Sequence, residues 1–68
     1  MENKLEELRK RNNIRQDDLG KALQVSRQTI SSIENGKYNP SLELAFKISR
    51  YVKMPIEEIF IFKEDDYE

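Results

Sequence analysis

The stretch Arg27-Gln28-Thr29-Ile30-Ser31-Ser32-Ile33-Glu34 surrounds two isoleucines with polar side chains of an unusual kind. Arg27 can bond a guanine through O6 and N7 together, Gln28 an adenine through N6 and N7, and the Thr29 methyl can touch a thymine methyl. The Ser31 and Ser32 hydroxyls can meet base edges or phosphates. Exposed helices ordinarily favour Glu and Lys, yet between Arg27 and Asn35 there is no Lys and a single acid. The other groups with possible chemistry are the carboxylate pairs Asp17-Asp18, Glu57-Glu58 and Asp65-Asp66. Neighbours on a helix point about 100° apart and none of these pairs has a partner type nearby, so no acid/base or metal dyad is expected. The chain has no Cys and no His, which removes disulfides, thiolate metal sites, cysteine nucleophiles, most zinc chemistry and the usual general base. No catalytic residue, metal or cofactor is expected, and the chain does not read as an enzyme.

The elements that must carry these side chains are helices, because only two Gly and two Pro interrupt the sequence. Leu5 and Leu8 lie on one face of a first helix, with Asn3 and Glu6 spaced as a capping box and the basic run Arg9-Lys10-Arg11 at its end. Leu19, Ala22 and Leu23 define a second helix from Gln16 to about Leu23; Arg15 stands at its N-cap, a poor residue for that place. Ser26 caps a third helix of about nine residues whose inward face is Ile30 and Ile33 and which stops at Gly36. Ser41 caps a fourth with the stripe Leu42, Ala45, Ile48 and Val52, and Pro55 opens a last turn, Ile56 to Ile59. The predicted core is Leu5, Leu8, Ile14, Leu19, Leu23, Val25, Ile30, Ile33, Leu42, Ala45, Ile48 and Val52. So small a core leaves no room for a regulatory small molecule.

At 68 residues the chain accommodates one domain, taken as 1–68. Twelve basic against thirteen acidic side chains give a net charge of -1, which alone counts against an anionic partner. The average is misleading. Residues 57–68 hold one Lys and six acids, whereas residues 1–56 hold eleven basic and seven acidic side chains and are +4. No stretch approaches the roughly 18 apolar residues of a membrane span and the start is polar, so the expected location is the cytoplasm, with no membrane partner.

Two short helices about three residues apart, feeding one core, form a helix-turn-helix over 16–35. The run Gln16-Asp17-Asp18-Leu19-Gly20-Lys21-Ala22-Leu23, then Val25-Ser26-Arg27-Gln28-Thr29-Ile30 and Ile33-Glu34-Asn35-Gly36-Lys37, resembles the Cro/C1 repressor-like, or XRE, family. The continuation Tyr38-Asn39-Pro40-Ser41-Leu42 with Leu44-Ala45 and Ile48 is similar to its small stand-alone members of the cytolysin-repressor type. The resemblance implies an all-α, five-helix, lambda-repressor-like domain, here with room for a short extended C-terminal segment. It also implies base contacts in the major groove by the residues at Arg27, Gln28 and Ser32, and phosphate contacts by those at Gln16, Asn35 and Lys37. Glu34 would pair with Arg9, which explains an acid on a helix that faces DNA. Gly20 stands where the family mostly has Ala, and Gln24 where it often has Gly; Gly20 could bring the third helix closer, and Gln24 would be strained at positive φ.

Some roles stay open on the residues alone. Thr29 could read a base, bond a phosphate or serve only the Ser26 cap. Ser31 and Tyr38 are assigned to phosphates, although Tyr38 could simply pack. Ile59-Phe60-Ile61-Phe62 either closes the core or forms a dimer interface, with Phe60 and Phe62 meeting their copies across a two-fold axis within a dimerisation and acidic segment, 56–68. Together these features predict a transcriptional regulator, foremost a repressor, binding a pseudo-palindromic operator on double-stranded DNA as a homodimer. Without DNA binding, the chain reads as a protein-interaction module such as the antitoxin partner of a toxin.

Overall fold

A computed structural model describes residues 1–64 and contains β1 (Glu2–Asn3), α1 (Leu5–Arg11), α2 (Gln16–Leu23), α3 (Arg27–Glu34), α4 (Leu42–Val52), α5 (Ile56–Ile59) and β2 (Phe60–Ile61). The five helices stand where apolar spacing and caps predict them. Ser26 Oγ accepts from the Thr29 amide at 3.0 Å and Ser41 Oγ from the Leu44 amide at 3.1 Å, so both serine caps form. Arg15, as expected of a poor cap, makes no capping bond. The first four helices each give way to a left-handed residue, Asn13, Gln24, Gly36 and Lys53, with φ of 58°, 63°, 78° and 61°. Only Gly36 adopts this conformation without steric cost, so Gln24 carries the strain foreseen for it.

Two expectations are corrected. Asn3 does not begin the first helix. It lies in β1, which pairs antiparallel with β2 in the register Glu2 to Ile61 and Asn3 to Phe60, and α1 starts at Leu5. Glu6, placed in the capping box by its spacing, instead pairs with Lys10 one turn on, at 2.9 Å. The short extended C-terminal segment thus exists, but an N-terminal strand completes it. The second correction concerns Leu42, which is 71% exposed, while Leu44 is buried in its place. On α4 the buried stripe is Leu44, Ala45 and Ile48 with Val52 at its edge; at about 100° per residue, Leu42 falls some 100° from the centre of that stripe.

The core joins Leu5 and Leu8, Leu19 and Leu23, Ile30 and Ile33, Leu44, Ala45 and Ile48 to Ile59 and Phe60, with Ile14, Val25 and Val52 partly buried around it. Every helix therefore contributes to one cluster, and α2 and α3 are clamped against the remainder by the aliphatic sides of both. The acidic end Asp65, Asp66, Tyr67 and Glu68 lies outside the described residues. Among the described residues no helix is long and apolar enough to cross a membrane.

Candidate nucleic-acid interface

Gly20 governs how α3 sits on α2. A Cβ at this position would lie 2.8 Å from the Val25 carbonyl oxygen and 3.4 Å from the Arg27 amide nitrogen, so the turn Gln24-Val25-Ser26 packs directly on the α2 backbone. The Val25 amide donates to the Gly20 carbonyl at 2.9 Å and holds the turn there. The close approach anticipated from the sequence is therefore present.

On α3 the buried Ile30 and Ile33 set the inward direction. Helical geometry then aims Gln28, Ser31, Ser32 and Asn35 outward, at spacings of i, i+3, i+4 and i+7, with Arg27 beside them. Arg27, Gln28 and Asn35 are exposed, and Ser31 and Ser32 are half-buried. Thr29 sits on the flank, half-buried, its hydroxyl 3.0 Å from Ser26 Oγ, so it is engaged in the cap. Lys37 and Tyr38 are exposed in the loop after α3.

Glu34 occupies the other flank, and its side chain is only 2% exposed. Arg9 Nε donates to its Oε2 at 2.7 Å, Arg9 Nη2 to its Oε1 at 3.3 Å, and Gln16 Nε2 to the same Oε1 at 3.0 Å. Arg9 also donates through Nη1 to the Ile14 carbonyl at 2.8 Å. The hydrogen bond to Glu34 holds the Arg9 guanidinium above its ordinary pKa, against the opposing effect of burial. The acid of α3 is thus turned inward and neutralised by Arg9.

The network continues toward the surface. Gln16 Oε1 accepts from Arg27 Nε at 3.4 Å, and Asp17 Oδ1 lies 3.5 Å from the same nitrogen. Gln16 therefore links a buried charge pair to Arg27, the single cation of α3, whose side chain remains 69% exposed. Arg9, Arg15, Gln16, Asp17 and Arg27 line an open groove at the start of α2. The first backbone N–H groups of a helix have no intrahelical partner, so this groove suits an oxyanion. Arg15 pairs with Asp18 at 3.1 Å; that hydrogen bond lowers the Asp18 carboxyl below its usual range and raises the arginine. The Arg15 side chain is 80% exposed and that of Asp18 47%, so the pair is weak and readily exchanged for another anion.

Sequence reasoning missed three participants. Arg15 reads from the sequence as a weak cap and Asp17 as half of a carboxylate pair without a function, yet both border the groove; their closeness to Arg27 arises from the crossing of α2 and α3. Asn3 reads from the sequence as a cap; its Oδ1 does accept from the first amide of α1, but its Nδ2 also reaches the end of α3. Of the apolar run near the C-terminus, Ile59 is fully buried and Phe60 8% exposed, both within this chain's own core, whereas Ile61 is half-buried and Phe62 56% exposed. The four do not share one face because α5 ends at Ile59 and the chain becomes extended. The last two are the more exposed part of the run. Phe60, expected to face its copy across a two-fold axis, is covered from within.

Residues 5–59 match the Helix-turn-helix family profile. A transcriptional regulator of the HTH type from Methanocaldococcus jannaschii is 54% identical over 66 residues, 97% of this chain and 100% of that protein. One from Archaeoglobus fulgidus is 47% identical over 66 residues, 97% of this chain and 93% of its own length. The Bacillus subtilis regulator YgzD is 44% identical over 66 residues, again 97% of this chain and 100% of the relative.

Proposed function

We propose that this chain, which belongs to the XRE-type helix-turn-helix family of DNA-binding transcriptional regulators, is a repressor that occupies a pseudo-palindromic operator as a homodimer. The observation that carries this reading is the division of labour on α3. Its one acid is buried beneath Arg9, while Arg27, Gln28, Ser32 and Asn35 remain on the outer side. In the proposed complex Arg27, Gln28 and Ser32 contact bases in the major groove, and Thr29 adds at most its methyl, since its hydroxyl serves the cap. Gln16, Ser31, Asn35, Lys37 and Tyr38 contact phosphates.

The dimer follows from size. Eight residues of α3 extend about 12 Å, the width of one major groove. One copy therefore reads one half-site, and a second copy about 34 Å away supplies the remaining specificity. Phe62 and Ile61 are the parts of the predicted interface that a second copy can reach. Leu42 and Phe46, exposed one turn apart on α4, add apolar surface that one chain leaves uncovered. Bound across a promoter, such a dimer excludes polymerase.

Selection of binding sites from random duplex DNA with the purified protein tests this reading. Enrichment of a palindrome with half-sites one helical turn apart is the expected result. Absence of any enrichment at low salt overturns it and favours a protein-interaction module instead.

A further inference from the structure

Asn3 lies outside the helix-turn-helix, on a two-residue strand, and none of its groups takes part in the contacts proposed above. Its side chain nevertheless joins three elements. Nδ2 donates to the Ile33 carbonyl in the last turn of α3 at 2.8 Å, and Oδ1 accepts from the Leu5 amide, the first of α1, at 3.0 Å. Its backbone stands opposite Phe60 in the sheet, next to the bond from the Lys4 amide to the Ile59 carbonyl at 2.8 Å. Simultaneous donation and acceptance from one planar group is available to asparagine and not to aspartate.

The carbonyl that Asn3 holds is the one on which the turn after α3 is built. Ile33 O also accepts from the Gly36 amide at 2.9 Å, and the Lys37 and Tyr38 amides fold back on Ser32 O at 3.0 and 3.2 Å. Gly36 turns at φ 78°, and a Cβ there would stand 3.3 Å from the Met1 carbonyl oxygen, so the N-terminal segment also backs this turn. The side chains aimed by the turn are those of Asn35, Lys37 and Tyr38.

We propose that Asn3 is a positioning residue for DNA binding: by holding Ile33 O it fixes the phosphate-facing turn Asn35–Tyr38 to the terminal β1–β2 sheet. This inference rests on the DNA-binding reading. Because β2 leads into Phe62, the same tether connects the segment offered to a second copy with the end of the recognition helix.

The test is Asn3→Asp, which keeps the acceptor for Leu5 and suits the α1 dipole, but replaces the donor to Ile33 O with a repelling oxygen. Affinities for the selected operator and for random duplex are measured at a temperature where circular dichroism shows the variant folded, alongside amide exchange. Affinity should fall roughly tenfold for operator and random duplex alike, as loss of phosphate contacts requires, with a shallower slope of log affinity against log salt. Exchange at Gly36, Lys37 and Tyr38 should quicken while that of Leu19–Leu23 does not. Unchanged affinity with an unchanged salt slope overturns the inference, as does exchange that quickens uniformly. If Asn3→Asp is unfolded at every usable temperature, Asn3→Ser, which retains an acceptor and shortens the reach, is judged by the same two readouts. A wild-type protein that selects no operator overturns the DNA reading itself, whereas the exchange pattern still decides whether the tether exists.

Discussion

Arg27 and Glu34 have opposite fates on one helix, and the difference is a matter of which charges each can reach. Among the described residues Arg27 has two long contacts, to Gln16 and Asp17, and the proposed base contact would replace them. Arg27→Ala should cost about 1–3 kcal/mol of operator affinity and relax specificity at one base pair, read by competition between single-substituted sites. Lys37→Ala should instead weaken all sequences alike and lower the slope of log affinity against log salt by about one. Glu34 is closed in by Arg9 and Gln16, so its loss leaves a guanidinium largely buried and unpaired. Glu34→Ala should destabilise the fold by about 3 kcal/mol in urea denaturation, with Glu34→Gln closer to wild type because its amide oxygen still accepts from Arg9.

At the scale of elements, stops and starts decide the geometry of the reading head. Ser26 begins α3 by accepting from the Thr29 amide, and Ser26→Ala should cost about 1 kcal/mol in thermal or urea unfolding. Gln24 ends α2 in the left-handed region at φ 63°, and Gln24→Gly should stabilise the protein by about 0.5–1 kcal/mol by the same measurement. The helices were legible because apolar spacing and serine caps are local signals. The extended C-terminal segment was legible too, but its partner was not, because Glu2-Asn3 gains its strand only by meeting Phe60-Ile61 from the far end of the chain. The same remoteness hid Asn3, whose spacing to Glu6 copies a capping box while its amide bonds a carbonyl thirty residues on.

For the whole molecule, the apolar run near the C-terminus separates stability from assembly. Ile59 is fully buried, so Ile59→Ala should cost about 2–4 kcal/mol at any protein concentration. Phe62 is 56% exposed, so Phe62→Ser should leave the unfolding of dilute protein nearly unchanged. It should, however, abolish the dependence of melting temperature on concentration that a dimer confers, and light scattering should report a monomer. A wild-type protein that is monomeric at tens of micromolar would remove the homodimer from the proposed function. Charge also makes sense only at this scale, since a chain of net -1 separates into a +4 body and an acidic end that need not face DNA.

By itself the sequence determined the five helices, their serine caps, the absence of histidine and cysteine chemistry, and the helix-turn-helix with Arg27 and Gln28 on its outer side. It could do so because each depends on spacings of three or four residues along one helix or on side-chain type alone. Tertiary structure decided which acid is neutralised and by how many partners, that Leu44 rather than Leu42 enters the core, and that Ile59 and Phe60 are buried in that core while Phe62 stays 56% exposed. It also decided that Asn3 reaches the end of α3. Those outcomes depend on which surfaces meet, and a helix whose pattern allows several inward faces has its choice made by the neighbours packed against it.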